Sequence, residues 1–561
     1  MSSRFGNERL RAVFFSKLPL LLALWLIFAL VTEHSQLSHN PSLDVVIANT
    51  AVSFKNYQIE ISASPSEPQL DLKVNANLEV ITNRIHQFRF FLDESYQVNI
   101  TKLEIDGKPV EYDYQGNVCH VELPFSCFVG KKLALKMNYQ IQSVVATKQV
   151  LAELRGNWYP KNLLPEMVTA RFRLNVPVGM IGIANGDFRE AIYLPNNLTA
   201  YLWEMNQPSS SFGVSIGKYL LSTRIVDDQP YRVYALPAYS EAYREKILDW
   251  AVLTGRYYQA EFGGENFDGL SIVLNDTEWE ESSFGALIFL HLPNTQTEYA
   301  LRFNLAHEIA HYWWGNLIIP KTIYDWWLVE GFANYSAWLA INNYEQQQMT
   351  VSGKQNEIII SNWRKQYRNT LVGLEHYQAP EMSLAEISPF DAQREILYTK
   401  GALVLHMARG LLGEENFRNF LIEFVKRFSF KKAGIRDFTG LGVEIYGAEW
   451  MDFFRQWVYS AGYYDLELKN VTITKTNHLY QLKASIHNIG QLSLPDRVGL
   501  EIITKSRVYS EVLHFKDVNV TIQKSLPDKP LQISVNYQNS YIPEISLEDN
   551  IWKAGNNHQN P

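Results

Sequence analysis

The chain is poor in cysteine, with only Cys119 and Cys127 among 561 residues. No C-x-x-C pair occurs, and this excludes a zinc site built from thiolates. The two cysteines lie eight residues apart. They could close a hairpin as a disulfide if the body of the protein is exported, and two free buried thiols are the alternative.

The sequence also lacks the basic surface that a nucleic acid requires. Lys plus Arg number 51 against 59 for Asp plus Glu, which gives a net charge of -8, and the one basic cluster is N-terminal. We therefore expect no nucleic-acid partner. Low-complexity tracts are absent as well, and 46% of the residues are hydrophobic. A chain of this length and composition should fold into several domains, whose oligomeric state the sequence leaves open.

Long hydrophobic runs are rare, and the notable one is N-terminal. Leu18 to Val31 carries no charge over 14 residues and follows a basic stretch with Arg11 and Lys17. This run is short for a membrane span and suits a signal peptide, but no clear small-x-small cleavage site follows it. We predict a membrane anchor with an extracytoplasmic body; the alternative is a cleaved signal and a secreted or periplasmic protein.

The hydrophobic periodicity divides the rest of the chain into three parts. Residues 49–222 alternate apolar and polar side chains, as in 70–80 and 133–141, which predicts an antiparallel β domain. Residues 223–463 show helical spacing, and residues 464–561 return to alternation typical of a small β-sandwich. With residues 1–48 as signal or anchor plus linker, the expected fold class is multidomain α+β.

The chemically informative segment contains His307, Glu308 and His311. Two histidines four residues apart lie on one face of a helix, so both imidazoles can bind one zinc ion and leave a position for water. Glu308 would then act as the general base that takes the water's proton and passes it to the leaving amine. We place the end of this helix at Gly315.

A third ligand is available at Glu330, an acidic residue in the apolar and aromatic run 326–334. A buried carboxylate there is costly unless it is paired or binds a metal. Asp325 is a candidate N-cap for the helix that carries Glu330. Asn334, one turn later, could hydrogen-bond a zinc ligand from the outer shell.

These features resemble a known family. Eighteen residues separate His311 from Glu330, Trp-Gly-Asn follows the second histidine, and Glu-Gly-Phe-Ala surrounds the third ligand. This pattern is similar to the alanyl aminopeptidase family of gluzincin metallopeptidases, which also holds the leukotriene hydrolases. The resemblance implies an N-terminal β saddle, a thermolysin-like and mainly helical catalytic domain, a small β-sandwich, one Zn²⁺ ion and a peptide or protein substrate. By the match of residues 396–402, Tyr398 would donate a hydrogen bond to the tetrahedral oxyanion.

The sequence departs from the family where its members carry Gly-x-Met-Glu-Asn, whose glutamate holds the substrate's free amino group. The matching residues are 285–289, and Ile288 and Phe289 stand at the Glu and Asn positions. Gly285 and Ala286 could still bind an extended peptide through their backbone, and Gln149 matches a polar residue near the amine. Glu278, Glu280 and Glu281 lie just upstream, and one of them could supply a compensating carboxylate. No spacing argument directs any of them to the site, so we expect a solvated acidic loop.

Two classes of function remain open at this point. The first is a zinc metallopeptidase, aminopeptidase-like but with altered recognition of the N-terminus, for which exopeptidase and endopeptidase action are both possible. The second is a catalytically weak or silent binding module on a peptidase fold. A non-peptide hydrolase, such as an epoxide hydrolase, rests on analogy with the family alone.

Overall fold

The computed structural model describes residues 50–63, 69–142, 147, 149–264, 269–275, 281–291, 297–348, 354–376, 381–462, 465–490, 497–514, 519–535 and 549–554. The predicted signal or anchor lies outside these ranges. Within them, no helix has both the length and the apolar character to cross a bilayer.

The strands of the described ranges are β1 Val52–Ala63, β2 Gln69–Val80, β3 Arg84–Phe91, β4 Asn99–Ile105, β5 Lys108–Pro109, β6 Tyr112–Gln115, β7 Val118–Phe128, β8 Lys132–Gln142, β9 Val150–Leu154, β10 Thr169–Pro177, β11 Ile181–Ala184, β12 Asp187–Leu194, β13 Leu198–Glu204, β14 Val214–Gly217, β15 Leu220–Val226, β16 Gln229–Ala235, β17 Leu270–Asn275, β18 Ser282–Phe284, β19 Leu287–His291, β20 Ile318–Pro320, β21 Lys431–Ala433, β22 Leu466–Thr476, β23 Leu479–Asn488, β24 Arg497–Thr504, β25 Val508–His514, β26 Asn519–Leu526, β27 Pro530–Val535 and β28 Ile551–Lys553.

The α-helices of the same ranges are α1 Glu241–Phe262, α2 Glu298–Ala310, α3 Trp327–Gln348, α4 Lys354–His376, α5 Glu395–Leu412, α6 Glu414–Phe428, α7 Ile435–Tyr446 and α8 Glu449–Trp457. Two 3₁₀ turns, Glu94–Tyr96 and Ile323–Asp325, join longer elements.

The N-terminal part is built on an eight-stranded sheet in the order β12-β13-β10-β1-β2-β8-β4-β5. Along β2 every second residue is buried, as the alternation predicts, because one face of the sheet covers the core. Asp106 and Gly107 join β4 to β5 with positive φ angles of 51° and 76°, the backbone of a two-residue hairpin turn. The predicted mainly β character of this region is confirmed.

Cys119 and Cys127 do not form the disulfide that the sequence allows, so that prediction is wrong. Both cysteines lie on the single strand β7, and both are buried free thiols. Instead of turning back between them, the chain continues along β3, where Cys119 lies opposite Phe90 and Cys127 opposite Ile85. The alternative of two buried thiols describes the protein.

The middle part combines a five-stranded sheet with the helices α1 to α8. The sheet has the order β15-β16-β17-β19-β18, so β18 is an edge strand. Helix α2 ends at Ala310 with His311 at its C-cap, not at Gly315 as predicted. Asp325 does not cap α3: its carboxylate accepts hydrogen bonds from the backbone N–H and the hydroxyl of Thr322 and from the N–H of Ile435.

The C-terminal part contains two antiparallel sheets, with orders β22-β23-β26 and β25-β24-β27-β28. Leu482 and Ile486 of the first sheet join the same buried cluster as Leu500 and Ile533 of the second. The two sheets therefore form a small sandwich. The predicted α+β class and its three parts are confirmed, while the domain limits in residue numbers stay a prediction.

Candidate active site

Three side chains converge where α2 ends and α3 begins. The Nε2 atoms of His307 and His311 are 3.1 Å apart. Each lies 3.5 Å from Oε2 of Glu330, in the first turn of α3. Ligand atoms bound tetrahedrally to zinc at about 2.0–2.1 Å are roughly 3.4 Å from one another. The three atoms thus fit one zinc ion without rearrangement of the backbone.

Outer hydrogen bonds aim both imidazoles at the metal position. His307 donates from Nδ1 to Oδ1 of Asn334 over 2.8 Å, and His311 donates from Nδ1 to the carbonyl of Trp314 over 3.1 Å. Since both acceptors are oxygens, the protons sit on Nδ1, and each Nε2 is left with a lone pair for a metal. Asn334 also donates to the carbonyl of Tyr398 over 3.2 Å.

Glu308 is buried beside these ligands, with 6% of its surface exposed. Its Oε2 has no hydrogen-bond partner among the described residues. Burial raises the pKa of its carboxyl to about 7; Glu330 and Glu281 also raise it, whereas His311 and Arg155 lower it. A carboxyl that titrates near neutral pH and has a free oxygen suits a group that accepts and returns a proton.

The carboxyl of Glu330 behaves differently. Burial alone would raise its pKa, but His311, His307 and the hydroxyl of Tyr398 outweigh that effect and hold the pKa below its usual range. Glu330 is therefore an ionised ligand at neutral pH. Two buried carboxylates in one site have separate protonation behaviour, as a ligand and a base require.

Tyr398, on α5, faces the same centre. Its ring lies nearly parallel to that of His307 with the centroids 6.1 Å apart. Burial and the nearby Glu330 raise the pKa of its phenol well above the usual range. The group therefore stays protonated and can donate a hydrogen bond.

A close crossing of two helices sets the distance between Glu330 and Tyr398. Gly331 on α3 packs against Gly401 on α5, and a Cβ on Gly331 would lie 2.9 Å from the Cα of Gly401. Only glycine at both positions allows the backbones to approach this closely. Gly331 is the residue after Glu330, and Gly401 is three residues after Tyr398. The contact between the two glycines therefore positions Glu330 and Tyr398 relative to each other.

The centre opens into a cavity of about 810 Å³. Loop residues after β9, the edge strand β18 and the start of α5 form its walls around Glu308. Its charged lining residues in the described part of the chain are Lys161, Glu281, His307, Glu308, His311, Glu330, Arg394 and Glu395.

Only one of the three predicted substrate-binding residues lines the cavity. Gly285 lines the cavity, whereas Ala286 and Gln149 are not among its lining residues. Ile288 and Phe289 are fully buried on β19, behind the edge strand that faces the cavity. Both side chains therefore pack in the hydrophobic core.

Glu281 was expected to lie in a solvated acidic loop, and that prediction is wrong. The residue is half-buried, lines the cavity, and accepts a hydrogen bond from Asn304 over 3.2 Å. Glu278 and Glu280 lie outside the described residues. Glu281 stands directly before the edge strand β18. Residue spacing alone does not show which strand forms the edge of a sheet, so the sequence did not identify Glu281.

A metal centre made of two helix-borne histidines and a carboxylate on the next helix defines a zinc metallopeptidase site of the gluzincin class. Residues 289–457 match the Peptidase family M1 domain. This part of the chain thus matches the peptidase family that the HExxH-x18-E spacing resembles.

Curated relatives agree with this assignment. Leucyl aminopeptidase of Saccharolobus solfataricus is 25% identical over 241 residues, which are 42% of this chain and 29% of the relative. Glutamyl aminopeptidase of Bitis rhinoceros is 24% identical over 398 residues, which are 66% of this chain and 40% of the relative. The chain spans less than half the length of either relative.

Solved structures share the fold. The M1 zinc metallopeptidase of Deinococcus radiodurans matches with a TM-score of 0.59 at 19% identity, covering 73% of this chain and 94% of that one. Legionella pneumophila aminopeptidase A in complex with aspartic acid matches with a TM-score of 0.69 at 15% identity, covering 88% and 59% of the two chains.

Proposed function

We propose that this protein is a zinc-dependent, aminopeptidase-like metallopeptidase that hydrolyses peptide bonds with Glu308 as its general base. The observation that carries the proposal is the convergence of the two histidine Nε2 atoms and a Glu330 oxygen within 3.1–3.5 Å, beside a buried carboxyl with a free oxygen. A binding module has no need to keep this costly cluster of buried polar groups.

Each residue has a chemical task in this proposal. His307, His311 and Glu330 hold the zinc ion, which, when bound, supplies Lewis-acid polarisation of the scissile carbonyl and activation of water. Glu308 accepts the proton of the attacking water and delivers it to the nitrogen of the leaving amine. Tyr398 donates its phenolic hydrogen to the oxyanion that develops on the carbonyl oxygen.

Recognition of a free N-terminus is assigned to Glu281, in place of the carboxylate missing at Ile288. Glu281 lies close enough to Glu308 to raise its pKa, so an ammonium bound there is near the reacting carbonyl. Asn304 donates to Oε1 and leaves Oε2 for the substrate. Arg155 fixes the following strand through a 2.9 Å hydrogen bond to Ser282 and is itself paired with Glu153.

The test uses free and N-acetylated peptides, with products identified by mass spectrometry. Glu308→Ala should abolish cleavage while zinc stays bound. Glu281→Gln should lower kcat/KM for free peptides by about 10- to 100-fold, because a charge-assisted contact is lost. Glu190→Gln, on the exposed strand β12, is the matched control.

Three results would revise the proposal. Equal cleavage of blocked and free peptides by the unmodified protein would remove the role of Glu281. Internal cuts would make the protein an endopeptidase. Zinc binding without any product that depends on Glu308 would favour the alternative, a catalytically silent peptidase-fold module.

The proposed location is outside the cytoplasm, with the body held at the membrane by residues 1–48 or released after their cleavage. The basis is the basic stretch followed by the apolar run from Leu18 to Val31. N-terminal sequencing of the mature protein, combined with membrane fractionation, separates the two alternatives. An intact N-terminus in the cytosolic fraction would contradict both.

A further inference from the structure

Lys161 gives the active-site cavity a positive charge that the catalytic scheme does not use. It follows Pro160 in the segment between β9 and β10, is half-buried, and lines the same cavity as Glu308 and Glu281. Its ammonium lies 5.6 Å from the ring centre of Tyr159, a fully buried side chain. A cation–π contact of this kind stabilises the ammonium only in part.

No carboxylate compensates this charge in the part of the chain that the structure describes. Burial is the only cause that shifts the pKa of Lys161, and it lowers that pKa to about 8. A carboxylate within ion-pairing range would oppose burial and act to raise the pKa, and no such effect acts on Lys161. Glu166, later in the same segment, has its Oε2 directed to other donors, the N–H of Phe54 and the side-chain amide of Asn162.

The backbone of Lys161 is held firmly. Its N–H and C=O exchange hydrogen bonds of 3.2 and 2.7 Å with Phe91 at the end of β3. The neighbouring Asn162 is buried and donates to the carbonyl of Val52 over 2.8 Å. A cation on such a support is preorganised, so a ligand that binds it orders little besides the lysine side chain.

We propose that Lys161 binds a carboxylate of the peptide substrate and makes the enzyme prefer substrates that carry one. The proposal rests on the proposed peptidase function and names part of its substrate class. Glu281 presents a negative group to the amino end of the peptide, while Lys161, on a different segment of the wall, presents a positive one. The carboxylate has two possible sources, the C-terminus of a short peptide or an acidic side chain.

Matched peptide pairs distinguish the sources. Ala-Ala-Ala and its C-terminal amide test the terminal carboxylate. The amides of Glu-Ala-Ala and Gln-Ala-Ala, and of Ala-Glu-Ala and Ala-Gln-Ala, test side chains at the first two positions. The unmodified protein should prefer the charged member of at least one pair by about 10- to 100-fold in kcat/KM, the gain expected for a charge-assisted contact.

Lys161→Met should abolish that preference by slowing the charged substrate alone, mainly through KM, and Lys161→Arg should keep most of it. Lys432→Met is the control, since Lys432 also has a pKa lowered by burial but lies near Glu166 and does not line the cavity. Equal loss for charged and neutral peptides would show a structural role. The absence of any preference in the unmodified protein would overturn the proposal.

A binding measurement keeps this test independent of turnover. Calorimetric titration of the same peptide pairs into zinc-loaded Glu308→Gln, with and without Lys161→Met, compares affinities where no bond is cleaved. Tighter binding of the charged peptide that disappears with Lys161→Met supports the proposal, even if no peptide proves to be a substrate. Equal affinities, or no binding of either peptide, would refute it.

Discussion

The crossing of α3 and α5 at Gly331 and Gly401 gives the sharpest structural prediction. An alanine at position 331 would put its Cβ 2.9 Å from the Cα of Gly401, 3.0 Å from its carbonyl carbon and 3.0 Å from the carbonyl oxygen of Leu397. All three are backbone atoms, so no side-chain rotation relieves the contact. Carbon atoms normally approach to about 3.5–4.0 Å, and the two helices must therefore separate by roughly 0.6–1 Å.

Two effects of Gly331→Ala oppose each other. Alanine favours a helix interior over glycine by about 0.8–1 kcal/mol. Overpacking of a tight contact costs about 1–3 kcal/mol. We therefore expect a net loss of up to about 2 kcal/mol in the free energy of unfolding. The larger consequence is catalytic, because a displacement near 1 Å between Glu330 and Tyr398 should lower kcat by up to about 100-fold.

The assay compares chemical unfolding, zinc content and peptidase kinetics of Gly331→Ala with those of Gly440→Ala. Gly440 lies in α7, and apart from its chain neighbours and the backbone of the same helix, no atom of the described residues comes within 4 Å of the added Cβ. Its replacement should therefore leave activity unchanged and stabilise the helix slightly. If Gly331→Ala matched the unmodified protein in both stability and kcat, the crossing would not position the site, and the reasoning would be refuted.

Three further predictions concern the support of the site. Asn334→Ala frees His307 and should weaken zinc affinity by about 10- to 100-fold, measured by chelator competition; unchanged affinity would contradict the role. Glu381→Gln should cost about 3–5 kcal/mol in urea unfolding, because its buried carboxylate accepts from Lys400 over 2.8 Å and from Tyr367 over 2.7 Å. Removal of zinc by a chelator should lower the free energy of unfolding by about 4 kcal/mol relative to zinc at 1,000 times its Kd, and lower the unfolding midpoint with it; an unchanged midpoint would mean that the folded protein binds no zinc.

The parts of the protein that the sequence predicts well are those fixed by local spacing. Alternation in β2 and β8 shows directly which face of the sheet is buried, because side chains point to opposite faces at every step. His307 and His311 belong to one helical turn, and Glu330 stands out as a charge in an apolar run. Each of these signals lies within a few residues, and the structure brings the three side chains together.

The parts that the sequence predicts poorly depend on how strands and loops meet. The end of α2 was placed too late because Tyr312 to Trp314 continue an apolar pattern, although the backbone there already forms turns. Asp325 has the residue type of a helix cap, but a distant N–H at Ile435 and the nearby Thr322 compete for its carboxylate. Such competition is visible only in three dimensions.

The question of N-terminus recognition shows how strand position changes the meaning of a residue. Ile288 and Phe289 suggested that an amine-binding group had been lost. Both residues, however, lie on β19, which is covered by the edge strand β18, so a carboxylate at either position would be buried away from the substrate. An extended peptide can add only to an edge, and the carboxylate that the structure offers it is Glu281, immediately before β18. The cavity wall therefore carries Glu281 at one point and Lys161 at another. Under the two proposals above, these charges would bind the amino group and a carboxylate of the same peptide.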